Sequence, residues 1–191
     1  MIDLLGERKS EFRAPFGLQI NLSCPTSGHD PSTLIEESAE ILDTAGALGV
    51  PLIPKYSIAS APIKAILELD GHPQCDAICV SNTIPFGWEG LEWSKVWGDD
   101  ISPLKKRGGG GLSGAPLRPL VCDWISRLRS AGFTKPINGG GGILEAHDVW
   151  HYRRAGASSI FLGSVAVLRP WRVKSIIKTA QVLQWDVPLP S

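Results

Sequence analysis

Polar side chains that could bind or transform a small molecule follow three short apolar runs in the first half of the sequence. Amide groups can hydrogen-bond a heterocycle, an ammonium group can neutralise an anion, and a thiol can act as a base. Because the carboxyl ends of parallel strands meet at one edge of a sheet, side chains that follow such strands are predicted to converge on one site. The residues are Asn21, Cys24, Lys55, Asn82 and Thr83.

Two glycine turns in the last third of the chain indicate a second part of that site. The apolar run Pro136–Asn138 opens onto Gly139–Gly142, and the run Ile160–Leu162 opens onto Gly163-Ser164. Glycine lets a backbone approach a ligand closely, and its N–H groups favour an anion. A single glycine-rich turn is more often only a turn, but two at adjacent strand ends favour a phosphate site. That site is predicted to use the N–H groups of Gly141, Gly142, Gly163 and Ser164.

Five repeats of a short apolar strand, a loop and a helix predict a parallel α/β architecture. Besides the two runs above, the predicted strands are Leu18–Leu22, Val50–Lys55 and Asp76–Val80. Residues 84–114 form a long irregular stretch, of a kind that is usually functional or mobile. The predicted helices run from Asp30-Pro31 to Gly46, from Ser60 to Leu69, from Pro116 to Gly132, from Leu144 to Arg154, and from Pro170 onward.

The composition excludes several classes of function. The 191 residues are enough for one domain with a real core. The 19 basic and 19 acidic residues cancel, so net charge gives no reason to expect nucleic acid or an anionic membrane as a partner. No apolar run approaches the roughly 20 residues of a membrane span. The first residues lack the order of a signal peptide, and the cysteines show no CxxC spacing, so reduced thiols and a cytoplasmic location are expected.

Several other residues could form a site, but a structural interpretation is favoured for each of them. His147 and His151 share a helix face at a spacing that can bind zinc, yet no third ligand is identifiable, and a metal site is not expected. The remaining interpretations are a solvated loop for Lys105–Arg107, loop packing for Trp88, Trp93 and Trp97, and core or strand-flank positions for Cys75 and Cys79.

The order of these segments resembles the dihydroorotate dehydrogenase family of FMN-dependent barrels. Each segment alone is weakly specific, but together they follow the family's order through nearly the whole chain. The resemblance covers strands four to eight, so the fold it implies is a partial (β/α)8 TIM-type barrel. The matching segments are Asn21–Pro25, Pro51–Lys55, Cys79–Thr83, Gly110–Leu117, Gly139–Ile143 and Gly156–Ser164.

The resemblance also implies a role for each matched residue. Cys24 would be the base that removes the C5 proton of dihydroorotate while the C6 hydride passes to FMN. Asn21 and Asn82 would hydrogen-bond the pyrimidine, and Lys55 would lie near the N1–C2 edge of the flavin. Thr83, Gly111, Leu112 and Ser113 would line FMN, and Gly140, Gly141, Gly142, Gly163 and Ser164 would hold its phosphate. Two residues depart from the family pattern: Thr26 stands where the family often has asparagine, and Asn138 is polar where an apolar residue is usual.

The chain is therefore expected to be one dihydroorotate dehydrogenase-like domain, residues 1–191, without the N-terminal half of the barrel. The expected function is FMN-dependent oxidation of dihydroorotate in pyrimidine biosynthesis. Two alternatives stay open: a related flavoprotein that acts on another dihydropyrimidine, and a non-catalytic half barrel that binds a phosphate-bearing ligand or a partner chain. Five strands cannot close an eight-stranded barrel. The expected partners are therefore a second copy of the chain or a chain that supplies the missing half.

Overall fold

Helices and strands alternate along the chain in a computed structural model that describes residues 2–22 and 34–185. Short 3-10 helices lie at Lys9–Glu11, Leu69–Gly71 and Lys105–Arg107. The elements are α1 (Ile2–Glu7), β1 (Leu18–Asn21), α2 (Leu34–Gly46), β2 (Leu52–Tyr56), α3 (Ile63–Glu68), β3 (Ile78–Val80), β4 (Ile84–Pro85), α4 (Trp93–Trp97), β5 (Gly111–Leu112), α5 (Leu117–Ser130), β6 (Ile137–Gly139), α6 (Asp148–Ala155), β7 (Ser159–Ile160), α7 (Ser164–Leu168) and α8 (Pro170–Val182).

Five of these strands form one parallel sheet in the order β1-β2-β3-β6-β7. Each is followed by at least one helix, so the predicted parallel α/β architecture is confirmed. Parallel pairing also brings all five carboxyl ends to the same edge, as the convergence of polar residues requires. None of the helices in the described ranges is both long and apolar enough to cross a bilayer.

Alternation along β2 separates the two faces of the sheet. Leu52, Pro54 and Tyr56 are buried, whereas Lys55 between them is only partly buried. The Tyr56 hydroxyl donates to Ser38 Oγ of α2 at 3.0 Å, so the buried set faces the helices. Successive side chains of a strand point to opposite faces. Lys55 therefore lies on the face that the helices leave uncovered, which is called the inner face below.

The helical layer is stabilised by apolar stripes, of which α5 gives the clearest example. Its buried residues recur at helical spacing, and the Trp124 indole N–H donates to the Ala61 carbonyl oxygen at 3.1 Å. Burying one such large apolar side chain contributes roughly 1.5–3 kcal/mol. The helix was predicted over Pro116 to Gly132, and the structure confirms it. The buried residues are Leu117, Val121, Trp124, Ile125 and Leu128.

Some predicted boundaries were wrong, and α6 shows the reason. It begins at Asp148 rather than at Leu144. The Asp148 carboxylate accepts hydrogen bonds from the N–H groups of Leu144 and Glu145 at 2.8 and 3.1 Å, which holds the preceding residues in a capped turn. The last strand was expected at Ile160–Leu162 and occupies Ser159–Ile160 instead. The helix start at Asp30-Pro31 lies outside the described residues.

The irregular stretch between β3 and α5 is closed at its base by a short hairpin. Ile84 pairs with Leu112, and Pro85 pairs with Gly111, in antiparallel register. Inside the stretch Trp93 is buried, its ring lies 4.2 Å from the Phe86 ring, and its indole N–H donates to the Trp88 carbonyl oxygen at 3.0 Å. Packing of the loop, the interpretation favoured for the tryptophans, is confirmed for Trp93, whereas Trp97 is 53% exposed.

Candidate functional site

A cavity of about 300 Å3 opens at the carboxyl edge of the sheet. It is lined by residues that lie at or just after the carboxyl ends of β2, β3, β6 and β7. These are strand ends at which the sequence predicts a site. The predicted site residues that line it are Lys55, Asn82, Thr83, Ser113, Gly141, Gly142, Gly163 and Ser164, joined by Ser81, Gly114, Leu117, Ile143 and Phe161.

The sheet register places one residue of each strand at the same level of the inner face. Lys55 of β2 is paired with Asn21 of β1 on one side and with Cys79 of β3 on the other. The row continues through Asn138 of β6 to Ser159 of β7, and the Ser159 hydroxyl donates to Asn138 Oδ1 at 3.2 Å. Asn138, which departs from the family pattern, thus belongs to a polar row on the inner face.

The two asparagines that were predicted to bind a pyrimidine lie against each other. Asn82 Nδ2 donates to Asn21 Oδ1 at 2.5 Å, although 61 residues separate them in the sequence. The backbone N–H of Asn82 donates to the Tyr56 carbonyl oxygen at 2.9 Å, which extends the pairing of β2 and β3 beyond their ends. Both amides are therefore presented from neighbouring strand ends, although the role itself remains a prediction.

Two serines fix the loops on which these residues stand. Ser81 Oγ accepts the Ile58 N–H at 3.1 Å and donates to the Asn82 carbonyl oxygen at 2.7 Å. Ser57 Oγ donates to the Thr83 carbonyl oxygen at 3.1 Å. Both serines are buried. They hold the loop after β2 and the loop after β3 in a fixed relation, and no sequence pattern predicts that pairing.

Phe161 is a cavity residue that the sequence did not identify as functional. Its ring centroid lies 4.7 Å from Lys55 Nζ, which is the geometry of a cation–π contact. A Cβ atom added to Gly140 would lie 2.5 Å from the Phe161 ring, so Gly140 provides the space for that ring. Strand spacing predicts neither contact, because both depend on how two different strands approach each other.

The glycine turn after β6 contains backbone N–H groups that a ligand could accept as hydrogen-bond donors. The Gly140 N–H donates to the Val80 carbonyl oxygen at 2.6 Å and continues the sheet. The N–H groups of Gly141 and Gly142, in contrast, donate to no other group within the described part of the chain. Both residues have positive φ, and a Cβ on Gly142 would lie 2.5 Å from the Gly114 carbonyl oxygen. Only glycine fits the turn at Gly142.

Buried polar side chains hold this turn from behind. The Tyr152 hydroxyl donates to the Gly141 carbonyl oxygen at 2.5 Å, and the Tyr152 ring fills the space that a Cβ on Gly139 would need. The Asp148 carboxylate is buried and forms an ion pair with Arg118 of α5. Burial raises the pKa of Tyr152 well above its usual range, so the hydroxyl stays a donor.

The turn after β7 offers space as well as donors. A Cβ on Gly163 would meet no atom within 4 Å, and the Gly163 N–H donates to no group in the described residues. Together with Gly141 and Gly142, it gives a set of backbone donors around an open volume, beside the ammonium of Lys55. Donors and positive charge of this kind fit a phosphate-bearing ligand and leave room for it.

The remaining predicted site residues lie at the margin of the cavity or outside the residues that the structure describes. Gly111 packs on Thr83, because a Cβ there would lie 2.5 Å from Thr83 Oγ1, and the side chain of Leu112 is buried in the core. Gly140 belongs to the extended sheet. Cys24 and Thr26 lie outside the described residues, so the structure says nothing about either of them.

The histidine pair and the other cysteines show no sign of a metal centre. The ring centroids of His147 and His151 lie 5.4 Å apart. In the ranges that the structure describes, no group of three or more His, Cys, Asp or Glu side chains could hold an ion. Burial raises the pKa of the Cys75 and Cys79 thiols to about 11 and that of Cys122 to about 12. Cys75 and Cys79 are buried, as predicted.

Comparisons with known proteins identify relatives of this chain. The catalytic subunit of dihydroorotate dehydrogenase B (NAD(+)) from Shouchella clausii is 30% identical over 88% of this chain and 54% of its own length. The dihydroorotate dehydrogenase (quinone) from Erythrobacter litoralis is 32% identical over 81% of this chain and 45% of its own. The chain thus spans about half the length of these curated relatives.

A solved structure shows the same fold. The crystal structure of DHODH from Eimeria tenella in complex with ferulenol superposes with a TM-score of 0.66 at 20% identity, covering 85% of this chain and 48% of the other. The five parallel strands therefore form part of a TIM-type barrel. The sequence model of the dihydroorotate dehydrogenase family matches residues 14–182 of this chain. With the match extending over nearly all of its strands and helices, the chain belongs to the dihydroorotate dehydrogenase family.

Proposed function

We propose that this chain forms the FMN- and substrate-binding half of an enzyme that oxidises dihydroorotate to orotate. The observation that carries the proposal is the convergence, in one cavity, of two glycine turns, Lys55 and Asn82, with Asn21 hydrogen-bonded to Asn82 at its margin. Each feature alone is common, but their combination suits a ligand that has both a phosphate and a hydrogen-bonding heterocycle.

The phosphate would be held by backbone donors. Gly141, Gly142 and Gly163 present N–H groups without acceptors in the described residues, and Ser164 adds a hydroxyl beside them. Gly140 would contribute by its position at the start of the turn, since its own N–H is bonded to the Val80 carbonyl oxygen. Thr83, Gly111, Leu112 and Ser113 would flank the cofactor along the hairpin. When it is bound, FMN supplies the acceptor for a hydride.

The residues of the chain would orient the substrate and move one proton. Asn21 and Asn82 would bind the donors and acceptors of the pyrimidine edge, and their mutual contact keeps both amides at the mouth of the cavity. Cys24 would accept the C5 proton. Lys55 would place a positive charge where negative charge develops during oxidation, and Phe161 would restrict the position of its ammonium group.

The active form would also need the rest of the barrel. The curated relatives are about twice as long as the matched region, and a closed barrel excludes water from the reacting groups. We propose that further polypeptide, in the same protein or in a partner chain, supplies the other strands. In the absence of that polypeptide, the open edges would favour self-association.

A flavin titration of two glycine variants tests the proposal. In Gly163→Leu the new side chain would enter open space in the cavity, so the fold should survive. FMN affinity should fall by roughly tenfold or more, because the side chain would occupy the space of the phosphate and keep it from the charge-assisted hydrogen bonds of the backbone donors. The matched control is Gly71→Leu, since a Cβ on Gly71 also meets nothing within 4 Å but lies outside the cavity. Equal FMN affinity of Gly163→Leu and the unmodified chain would refute the phosphate assignment.

A further inference from the structure

This chain has one long segment with only acidic charges and one with only basic charges, although its 19 acidic and 19 basic residues cancel in number. Residues 14–54 contain no lysine or arginine, and residues 149–185 contain no aspartate or glutamate. The acidic segment carries Asp30, Glu36, Glu37, Glu40 and Asp43, and the basic segment carries Arg153, Arg154, Arg169, Arg172, Lys174 and Lys178.

The fold places the described parts of these two segments toward opposite ends of the sheet. The acidic segment includes β1 and α2, and the basic segment includes β7, α7 and α8. β1 and β7 are the two terminal strands of the five-stranded sheet. Contacts between helices run from α2 to α3, then to α5, to α6 and finally to α8, so α2 and α8 are the outermost members of the helical layer.

The basic end also exposes apolar side chains. In α8 only Ile176 is buried, whereas α5, of almost the same length, buries five residues. Trp171 is 72% exposed, and Val167 of α7 is 83% exposed. Exposed apolar side chains that are surrounded by polar residues mark an interaction surface when they form a large patch. On α2, Glu36, Glu40 and Asp43 are exposed and supply the opposite sign.

We propose that copies of this chain associate head to tail, with the α7–α8 surface of one copy against α2 of the next. Contact of α8 with α8 in a two-fold dimer would bring together surfaces of like charge, which is unfavourable. The head-to-tail arrangement instead pairs opposite charges and brings terminal strand β7 beside terminal strand β1. It rests on the proposal above that open edges favour self-association, and it adds which two surfaces meet. Neither flavin nor substrate takes part, and the polypeptide that completes the barrel would compete for the same two edges.

Sedimentation of charge-reversal variants tests the proposal. The distance over which salt screens charge–charge attraction is about 10 Å in 0.1 M salt and about 3 Å in 1 M salt. The unmodified chain should therefore associate more strongly in 0.1 M salt than in 1 M salt. Lys174→Glu with Lys178→Glu, or Glu36→Lys with Glu40→Lys, should each weaken self-association by roughly tenfold or more. Lys105→Glu with Lys106→Glu makes the same charge change on an exposed loop and should leave association unchanged.

A mixture of the two variants gives the decisive result. Each variant keeps one unmodified surface: the α8 variant has the original α2, and the α2 variant has the original α8. An equimolar mixture therefore contains one complementary pair of surfaces and should associate where each variant alone does not. Such rescue also shows that both variants are folded. The proposal is overturned if the mixture stays monomeric, if the unmodified chain is a monomer in 0.1 M salt, or if it binds vesicles of anionic phospholipid instead of itself.

Discussion

At the scale of single residues, Cys24 is the proposed base for the C5 proton of dihydroorotate. In a complete, active assembly, Cys24→Ala should lower the rate of dihydroorotate oxidation by about 10²–10⁴-fold, because a positioned base typically contributes that much. The FMN affinity should not change, since the proposed phosphate donors are backbone groups elsewhere. Stopped-flow kinetics measures the rate, and a flavin titration measures the affinity.

Cys122→Ala provides the control for this substitution. Burial raises the pKa of the Cys122 thiol to about 12, so the thiol stays protonated near neutral pH and cannot serve as the base. The same reasoning holds for Cys75 and Cys79. The control variant should oxidise substrate at the rate of the unmodified assembly. A normal rate in Cys24→Ala would exclude the role of that residue.

The contact between Lys55 and Phe161 is expected to have a measurable energy without any ligand. A cation over an aromatic ring contributes about 0.5–1 kcal/mol at an exposed site. Lys55→Met, Phe161→Leu and the double variant form a double-mutant cycle, and urea unfolding of the four proteins should yield a coupling energy of this size. Additive effects of the two substitutions would show that the ring does not hold the ammonium group.

At the scale of elements, Asp70 joins the end of α3 to the beginning of β6. Its carboxylate accepts the N–H groups of Thr134 and Lys135 at 2.7 and 3.1 Å, and the Lys135 ammonium donates to the carbonyl oxygens of His72 and Cys75. Burial would raise the pKa of Asp70, but these hydrogen bonds and the Lys135 charge outweigh it and hold the pKa below its usual value.

The lowered pKa gives a pH dependence with a definite sign. A carboxylate whose pKa is lower in the folded state stabilises the fold above its ordinary pKa of about 3.9, and this contribution is lost as the pH falls through the lowered value. Asp70→Asn should therefore reduce the free energy of unfolding at pH 7 and have a smaller effect at pH 3. Urea titrations at both pH values measure this, with Asp3→Asn on the exposed surface of α1 as the control. An equal loss at both pH values would contradict the prediction.

Elements were predictable where local pattern determines them. The strands β1, β2, β3 and β6 follow apolar runs, and the sequence located each of them within two residues. The true start of α6 depends on a carboxylate that folds back onto earlier backbone groups, which no periodicity reports. The β4–β5 hairpin joins two-residue strands across a long loop, a pairing too short to leave a sequence pattern.

The candidate site was predictable to a similar extent. Lys55 and Asn82 follow strands, and topology alone brings strand ends together, so their presence in one cavity could be expected from the order of elements. Phe161 and Tyr152 act through contacts with the glycine turn or with another strand, and these contacts depend on packing distances. Gly140 could have been a signal, since a glycine within a strand end often marks the close approach of another group.

At the scale of the whole molecule, the open sheet sets a condition for activity. A closed barrel of this type takes about 250 residues and leaves no strand edge. We expect co-expression with polypeptide that carries the other strands to increase FMN affinity above that of the 191-residue chain alone. We also expect it to yield dihydroorotate oxidation, which the chain alone should not catalyse at enzymatic rates. Flavin absorbance of the purified complex and substrate turnover provide the measurements. A monomeric chain that oxidises dihydroorotate at ordinary rates on its own would be incompatible with this expectation.

The polar row on the inner face has a consequence for how the barrel can be completed. Asn21, Lys55, Asn138 and Ser159 carry groups that water can hydrate, so this side of the sheet can stay wet in the half barrel at little cost. Closure would dehydrate the lumen at that level. The polar atoms that the Asn82–Asn21 and Ser159–Asn138 hydrogen bonds leave to water would then need new partners. Strands that complete the barrel should therefore bring donors and acceptors to this level, in place of the branched aliphatic side chains that usually fill a barrel interior.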